Sequence, residues 1–196
     1  MKSLFEYLAK YFETPGPVLF ETTYFFLLTL VFNKDKDIKK IKTWLVMLLE
    51  MFLLWLIMFL FRFLRAKYFY SYGFFIALFL VLLTIGYGLI KYRKDIKLSL
   101  YYSLFLSAYS VYLTSFIQAV PDFFCVLLKI DTPVIASTIS SCIVAPLMNI
   151  AMMIFIYKKP LDAYGKPTWK YIAIPSLLLV FSSLMQIYNM QITELL

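Results

Sequence analysis

Residues 44–64 read WLVMLLEMFLLWLIMFLFRFL, an apolar run broken only by Glu50 and Arg62. About 20 predominantly apolar residues, rising 1.5 Å each, are what a helix needs to cross a hydrocarbon layer of about 30 Å. Basic residues bound the run on both sides: Lys39, Lys40 and Lys42 before it, Arg65 and Lys67 after it. Working outward, similar apolar runs occupy residues 17–33, 69–90, 98–120, 133–157 and 169–189. They are long and continuous, without the alternation of a barrel strand, so they read as helices. The expected fold is all-α, a polytopic membrane protein with six transmembrane helices forming a single integral membrane domain over residues 1–196. Residues 1–16 form an interfacial segment ahead of the first span. There Leu4, Phe5, Leu8 and Phe12 recur at helical spacing against Lys2, Glu6, Lys10 and Glu13, the pattern of a short amphipathic helix lying in the interface. Pro15-Gly16-Pro17 breaks that helix from the first span. No signal-peptide cleavage site is expected after it.

Composition agrees. Of 196 residues, 63% are hydrophobic, 20% aromatic and only 15% charged, against about 25% charged in soluble domains. The net charge of +8 comes from basic residues in short connections, which points to anionic lipid headgroups and not to nucleic acid. The chain has no histidine, which removes His-based acid/base catalysis, His-activated nucleophiles and His metal ligands. Cys125 and Cys142 have neither metal-site spacing nor an argument for a disulfide. No catalytic group, metal or cofactor is expected.

Thirteen of the nineteen Lys and Arg residues fall in three alternate connections, within residues 34–42, 91–97 and 158–170. The positive-inside rule places these in the cytoplasm and both termini outside, in a bacterial cytoplasmic membrane. Arg62, Arg65 and Lys67 are the exception: this topology puts them outside.

Polar residues inside the runs are the candidate functional positions. Ser103, Ser107, Ser110 and Thr114 lie on one face of the fourth span, with Gln118 at its edge. Ser137, Ser141, Ala145 and Asn149 follow at i+4 steps in the fifth. Small residues let helix backbones approach, and hydroxyls or amides bond across, so these two stripes are expected to pack spans four and five together. A ligand groove is the sharper alternative. Pro146 and Pro175 interrupt spans five and six and are candidate hinges. Glu21, Glu50 and Arg62 are charges within or at the edges of apolar runs, where a charge is expensive unless protonated, paired or wet. The fourth connection, Pro121 to Pro133, carries Asp122, Phe123, Phe124 and Asp131. With Gln118 and Glu21 it makes the candidate outer ligand site.

The order of features resembles a family. Phe20-Glu21-Thr22-Thr23-Tyr24-Phe25 leads to basic Lys39-Lys40. Tyr92-Arg93-Lys94 precedes the small-residue-rich fourth span. Lys158-Lys159-Pro160-Leu161 precedes Trp169-Lys170-Tyr171 and Pro175. This pattern resembles the membrane sensor region of bacterial Agr-type histidine kinases of the GHKL class. The resemblance implies a polytopic receptor for an extracellular peptide, signalling to a cytoplasmic or membrane partner or through a homodimer. The chain departs from it in lacking a phosphoacceptor histidine and a kinase domain. An outside end after Gln191-Ile192-Thr193-Glu194 is compatible with a truncated sensor awaiting a seventh helix, with an isolated sensor-like protein, and with an unrelated six-span protein. The alternatives are a small six-span transporter subunit like the substrate-binding component of energy-coupling-factor importers, and a bacteriocin-immunity-type membrane protein.

Overall fold

The structure, a computed structural model, describes residues 4–13, 15–33, 40–68, 74–93, 95–128 and 133–158, with isolated positions at 173, 176, 177 and 180. These residues form six helices: α1 (Leu4–Phe12), α2 (Pro15–Phe32), α3 (Ile41–Tyr68), α4 (Phe74–Lys91), α5 (Ile96–Leu128) and α6 (Pro133–Lys158). No strand occurs among the described residues. The fold is therefore all-α, as expected. Two of the helices, Pro15–Phe32 and Ile41–Arg65, are long and apolar enough to cross a membrane; Phe75–Lys91 and Ser141–Ile156 are shorter apolar helices. The sixth expected span, including Pro175 and the Trp169 motif, lies outside the described residues apart from those isolated positions.

Two boundaries differ from the sequence reading, both at prolines. Pro15, Gly16 and Pro17 do not separate α1 from the first span; they form the first turn of α2. Proline suits that turn because its missing N–H would have no intrahelical partner there. The connection expected from Pro121 to Pro133 is mostly helix, since α5 runs on to Leu128. A proline removes one hydrogen bond and crowds one turn, which bends a helix without ending it when helix-compatible residues follow. Phe123 to Leu128 supply them. α6 is likewise continuous through Pro146.

The chain divides into two compact units, one of Met1–Tyr70 with Phe116–Lys158, the other of Ser71–Ser115 with Lys159–Leu196. In the second, α4 turns into α5 within a few residues. Asp95 begins α5 by accepting the Leu98 N–H on Oδ1 at 3.1 Å, the bond of an N-cap. The face carrying Ser99, Ser103, Ser107 and Ser110 is fully buried with Tyr102 and Leu106. The Ser110 and Thr114 hydroxyls donate back to the carbonyls of Ser107 and Ser110, at 2.9 and 2.6 Å.

The first unit is organised around α2. Tyr24, Phe25, Leu27, Leu28 and Val31 are fully buried along it, and it packs on three other helices, α6, α3 and α1. A Cβ built on Gly16 would collide with the Ser141 side chain, so the two backbones approach where Gly16 has no side chain. Seven residues on, Asn149 Nδ2 donates to Thr23 Oγ1 at 2.8 Å. Residue numbers rise together on both helices, so α2 and α6 run parallel. The sequence reading pairs the Ser141–Asn149 face with the serines of the fourth span; the partner it has in this unit is α2. The Ser137 and Gln118 side chains lie outside the described residues.

α3 keeps a continuous apolar face open: Leu45, Leu49, Phe52, Leu53, Ile57, Leu60 and Leu64 are all exposed. Soluble monomers rarely leave such a patch in water, whereas lipid covers it at no cost.

Gly16→Ala should force a clash between α2 and α6 and destabilise the fold by about 1–3 kcal/mol, the usual cost of overpacking. Thermal melting in detergent reads it. Adding Ser141→Gly removes the clashing atoms and should restore most of the loss, while Gly16→Ala without effect would refute the close approach.

Candidate functional site

Three charged or polar side chains from three helices meet at one point of the first unit. Glu21 sits in the second turn of α2 and is 1% exposed. Its Oε1 forms an ion pair with Nη2 of Arg62, near the end of α3. Its Oε2 accepts a hydrogen bond from the Tyr11 hydroxyl of α1. The Arg62 guanidinium also lies over the Tyr11 ring, 5.9 Å from its centre, a cation–π arrangement. Each residue of the triad thus touches the other two.

Aromatic rings enclose the cluster. Tyr11 packs edge-on against Trp55 at 6.0 Å and Phe59 at 5.5 Å, and Trp55 stacks on Phe59 at 5.5 Å. Tyr7, one turn earlier on α1, meets Phe59 at 5.8 Å and Phe63 at 5.5 Å. Phe12 stacks on Trp55 at 6.0 Å. So α1 lies across the last part of α3 with its aromatic face down, while Glu6, Ala9 and Glu13 are exposed.

A second polar link ties the other end of the α2–α3 hairpin. Asn33 Nδ2 donates to Glu50 Oε2 and to the carbonyl of Thr29, both at 2.9 Å. Glu21 on α2 and Asn33, the residue just after it, are twelve residues apart, and Glu50 and Arg62 are twelve apart on α3. Both separations correspond to about 18 Å of helix. An early residue of α2 pairs with a late residue of α3, and the reverse, so the two helices are antiparallel. All three charges within apolar runs therefore have partners: Glu21 with Arg62, and Glu50 with Asn33.

Electrostatics favour a closed cluster that is not fully satisfied. Arginine stays charged at any accessible pH, and a lone buried carboxylate or guanidinium is costly. Pairing cancels much of that cost. One donor is left over, because the buried Arg62 Nε has no hydrogen-bond acceptor among the described residues. The Tyr11 hydroxyl holds its proton more tightly than an ordinary phenol, through burial first and the Glu21 charge and hydrogen bond next. Burial likewise raises Tyr7, opposed by the charges of Arg62 and Arg65.

Of the sequence-derived candidates for ligand binding, Glu21 is the one this cluster contains. Gln118, Asp122 and Phe123 lie on α5, their side chains outside the described residues, and Asp131 lies outside them altogether. The sequence reading does not single out Tyr11; it builds the α1 face from Leu4, Phe5, Leu8 and Phe12. Its signal would have been position: the α1 face that carries it precedes a span holding an unpaired acid. No protein-family model matches this chain, and neither a curated protein nor a solved structure matches it significantly.

Arg62→Leu should strand the Glu21 carboxylate and destabilise the fold by about 3–5 kcal/mol. Glu21→Leu with Arg62→Leu together should be far milder than either change alone, and a thermal double-mutant cycle in detergent measures the difference. Simple additivity would mean the two groups do not interact.

A pH dependence follows from Tyr11. Its proton affinity is raised on folding, so its contribution is fully present below the ordinary phenol value of 10.0 and is lost as pH rises past it. The melting temperature should fall between about pH 10 and 11, and the fall should be shallower in Tyr11→Phe. Equal slopes would exclude Tyr11 as the source.

Proposed function

We propose that this chain is a non-catalytic membrane sensor domain, receiving an extracellular signal through its outer face and α1. The observation that carries this reading is the Tyr11–Glu21–Arg62 cluster. It joins an amphipathic surface helix to an ion pair inside a helical hairpin, and among the described residues it leaves the buried Arg62 Nε without an acceptor. A half-satisfied polar cluster is a poor device for stability alone. It is a suitable two-state element, because moving α1 removes a hydrogen bond, a cation–π contact and the cover over the pair together.

Helix directions support the six-span topology that such a sensor requires. α3 runs antiparallel to α2, and α6 runs parallel to α2. If α2, α3 and α6 all cross the bilayer, an even number of crossings precedes α6 after α3, so α4 and α5 both cross or neither does. Their apolar runs favour both. The Arg62 pairing also removes an anomaly in the charge distribution. A guanidinium neutralised by Glu21 is part of the bundle and should not be weighed as a loop charge. Thirteen cytoplasmic Lys and Arg residues then oppose five outside, in place of six. On this topology α1, the Tyr11 cluster and the region of Gln118, Asp122, Phe123 and Asp131 lie towards the outer face in a bacterial cytoplasmic membrane. A secreted peptide would act there, as the resemblance to Agr-type sensor regions implies.

Two measurements test the reading. With Cys125 and Cys142 replaced by Ser, Glu6→Cys should react with an impermeant maleimide on intact cells, and Lys97→Cys only after lysis. The reverse pattern would overturn the orientation. Peptides from the source organism's own culture medium should bind the reconstituted chain saturably, with affinity at least about tenfold lower in Glu21→Gln, as loss of a charged contact gives. Absence of saturable binding would count against a peptide receptor.

A further inference from the structure

We propose that the buried serine face of α5 is the docking surface for residues 169–189 of the same chain, with Ser107 against Ser182 and Gln186. The depth matching below rests on the six-span reading; the sensor role does not enter.

Ser99, Ser103 and Ser107 are fully buried, and their hydroxyls have no hydrogen-bond partner among the described residues. A helical serine can donate to a carbonyl one turn back, as the Ser110 hydroxyl does. These three do not. They occupy about 12 Å of one helix face, and a hydroxyl buried without a partner is destabilising.

The described helices do not supply what they lack. Extensive helix packing joins α2 to α6, α3 and α1, and none of it involves α5. α4, in the same compact unit, has one described buried polar side chain, Thr84, whose hydroxyl donates to the Leu80 carbonyl at 2.8 Å. The other part of that unit is Lys159–Leu196.

That part carries a matching face. Ala173, Leu177 and Val180 are helical and exposed, at i, i+4 and i+7. Continued at about 100° per residue, the same helix sets Tyr171, Pro175, Ser182, Gln186 and Asn189 on the side away from them. Proline at 175 also leaves the Tyr171 carbonyl without its helical donor. Serine side chains are among the groups that satisfy such carbonyls in a membrane. Lys97 and Lys170 bound the two apolar runs on one side. Counted from them, Ser107 and Ser182 lie ten and twelve residues in, and the Tyr171 carbonyl falls level with the turn from Ser99 to Ser103.

Disulfide trapping tests this in membranes carrying the full chain with Cys125→Ser and Cys142→Ser. Ser107→Cys with Ser182→Cys should cross-link on mild oxidation, because the docking brings the two Cα atoms within disulfide reach. Ser107→Cys with Val180→Cys, on the exposed side, should not. Melting in detergent reads the hydrogen bonding separately. Gln186→Leu should lower the melting temperature, and lower it less when Ser107→Ala has already removed the hydroxyl. Cross-linking through Val180, or through neither position, would overturn the docking, and equal losses in both backgrounds would overturn the bonding. A reversed maleimide pattern at Glu6→Cys and Lys97→Cys would overturn the orientation itself, a result distinct from absent cross-linking in a correctly oriented chain.

Discussion

A carboxylate and a guanidinium, each too costly to bury alone, are buried together between two apolar helices. The pairing of Glu21 with Arg62 constrains much of the first unit. It fixes which end of α3 lies beside the start of α2. It gives the Tyr11 hydroxyl an acceptor, and through Tyr11 it holds α1 across the hairpin. The Asn33–Glu50 bond does similar work at the opposite end. In an apolar hairpin most sliding registers are nearly equivalent by packing, so two polar links about 18 Å apart supply the discrimination that leucines cannot.

The remaining contacts of α2 are of another kind. Gly16 and Ser141 allow close backbone approach, and Thr23 and Asn149 add a hydrogen bond where α2 and α6 run parallel. Between two apolar helices, small residues and an interhelical amide bond decide which faces meet. α2 is therefore held by charge on the side of α3 and by shape on the side of α6. The contacts of α1 are fewer and largely aromatic, which makes it the element of this unit most readily displaced.

Much of this architecture was legible in the sequence, and the limits have physical causes. Uninterrupted apolar runs located α2 to α6 to within a few residues, because runs of that length and composition suit helices better than strands. The exceptions were prolines. Pro15 opens α2 and Pro121 lies within α5, because position within a helix decides what a proline does, and local sequence does not show that position. Glu21, Glu50 and Arg62 stood out as charges in apolar runs, but their pairing is a tertiary fact. A signal was present in the equal twelve-residue spacings of Glu21 to Asn33 and of Glu50 to Arg62, which antiparallel helices can match. The face of Ser141, Ala145 and Asn149 was recognisable as a packing surface, yet nothing in its composition distinguishes α2 from α5 as partner. Tyr11 was hidden among other aromatics at the membrane boundary.

The central claim is that the buried pair anchors α1 through Tyr11. Hydrogen exchange of the α1 amides in the reconstituted chain tests it most directly. Glu21→Ala should remove protection from α1, and Glu21→Ala with Arg62→Ala should restore the stability of the α2–α3 hairpin while leaving α1 exposed to exchange. Unchanged α1 protection in both variants would contradict the account, since α1 would then be held by its aromatic contacts alone.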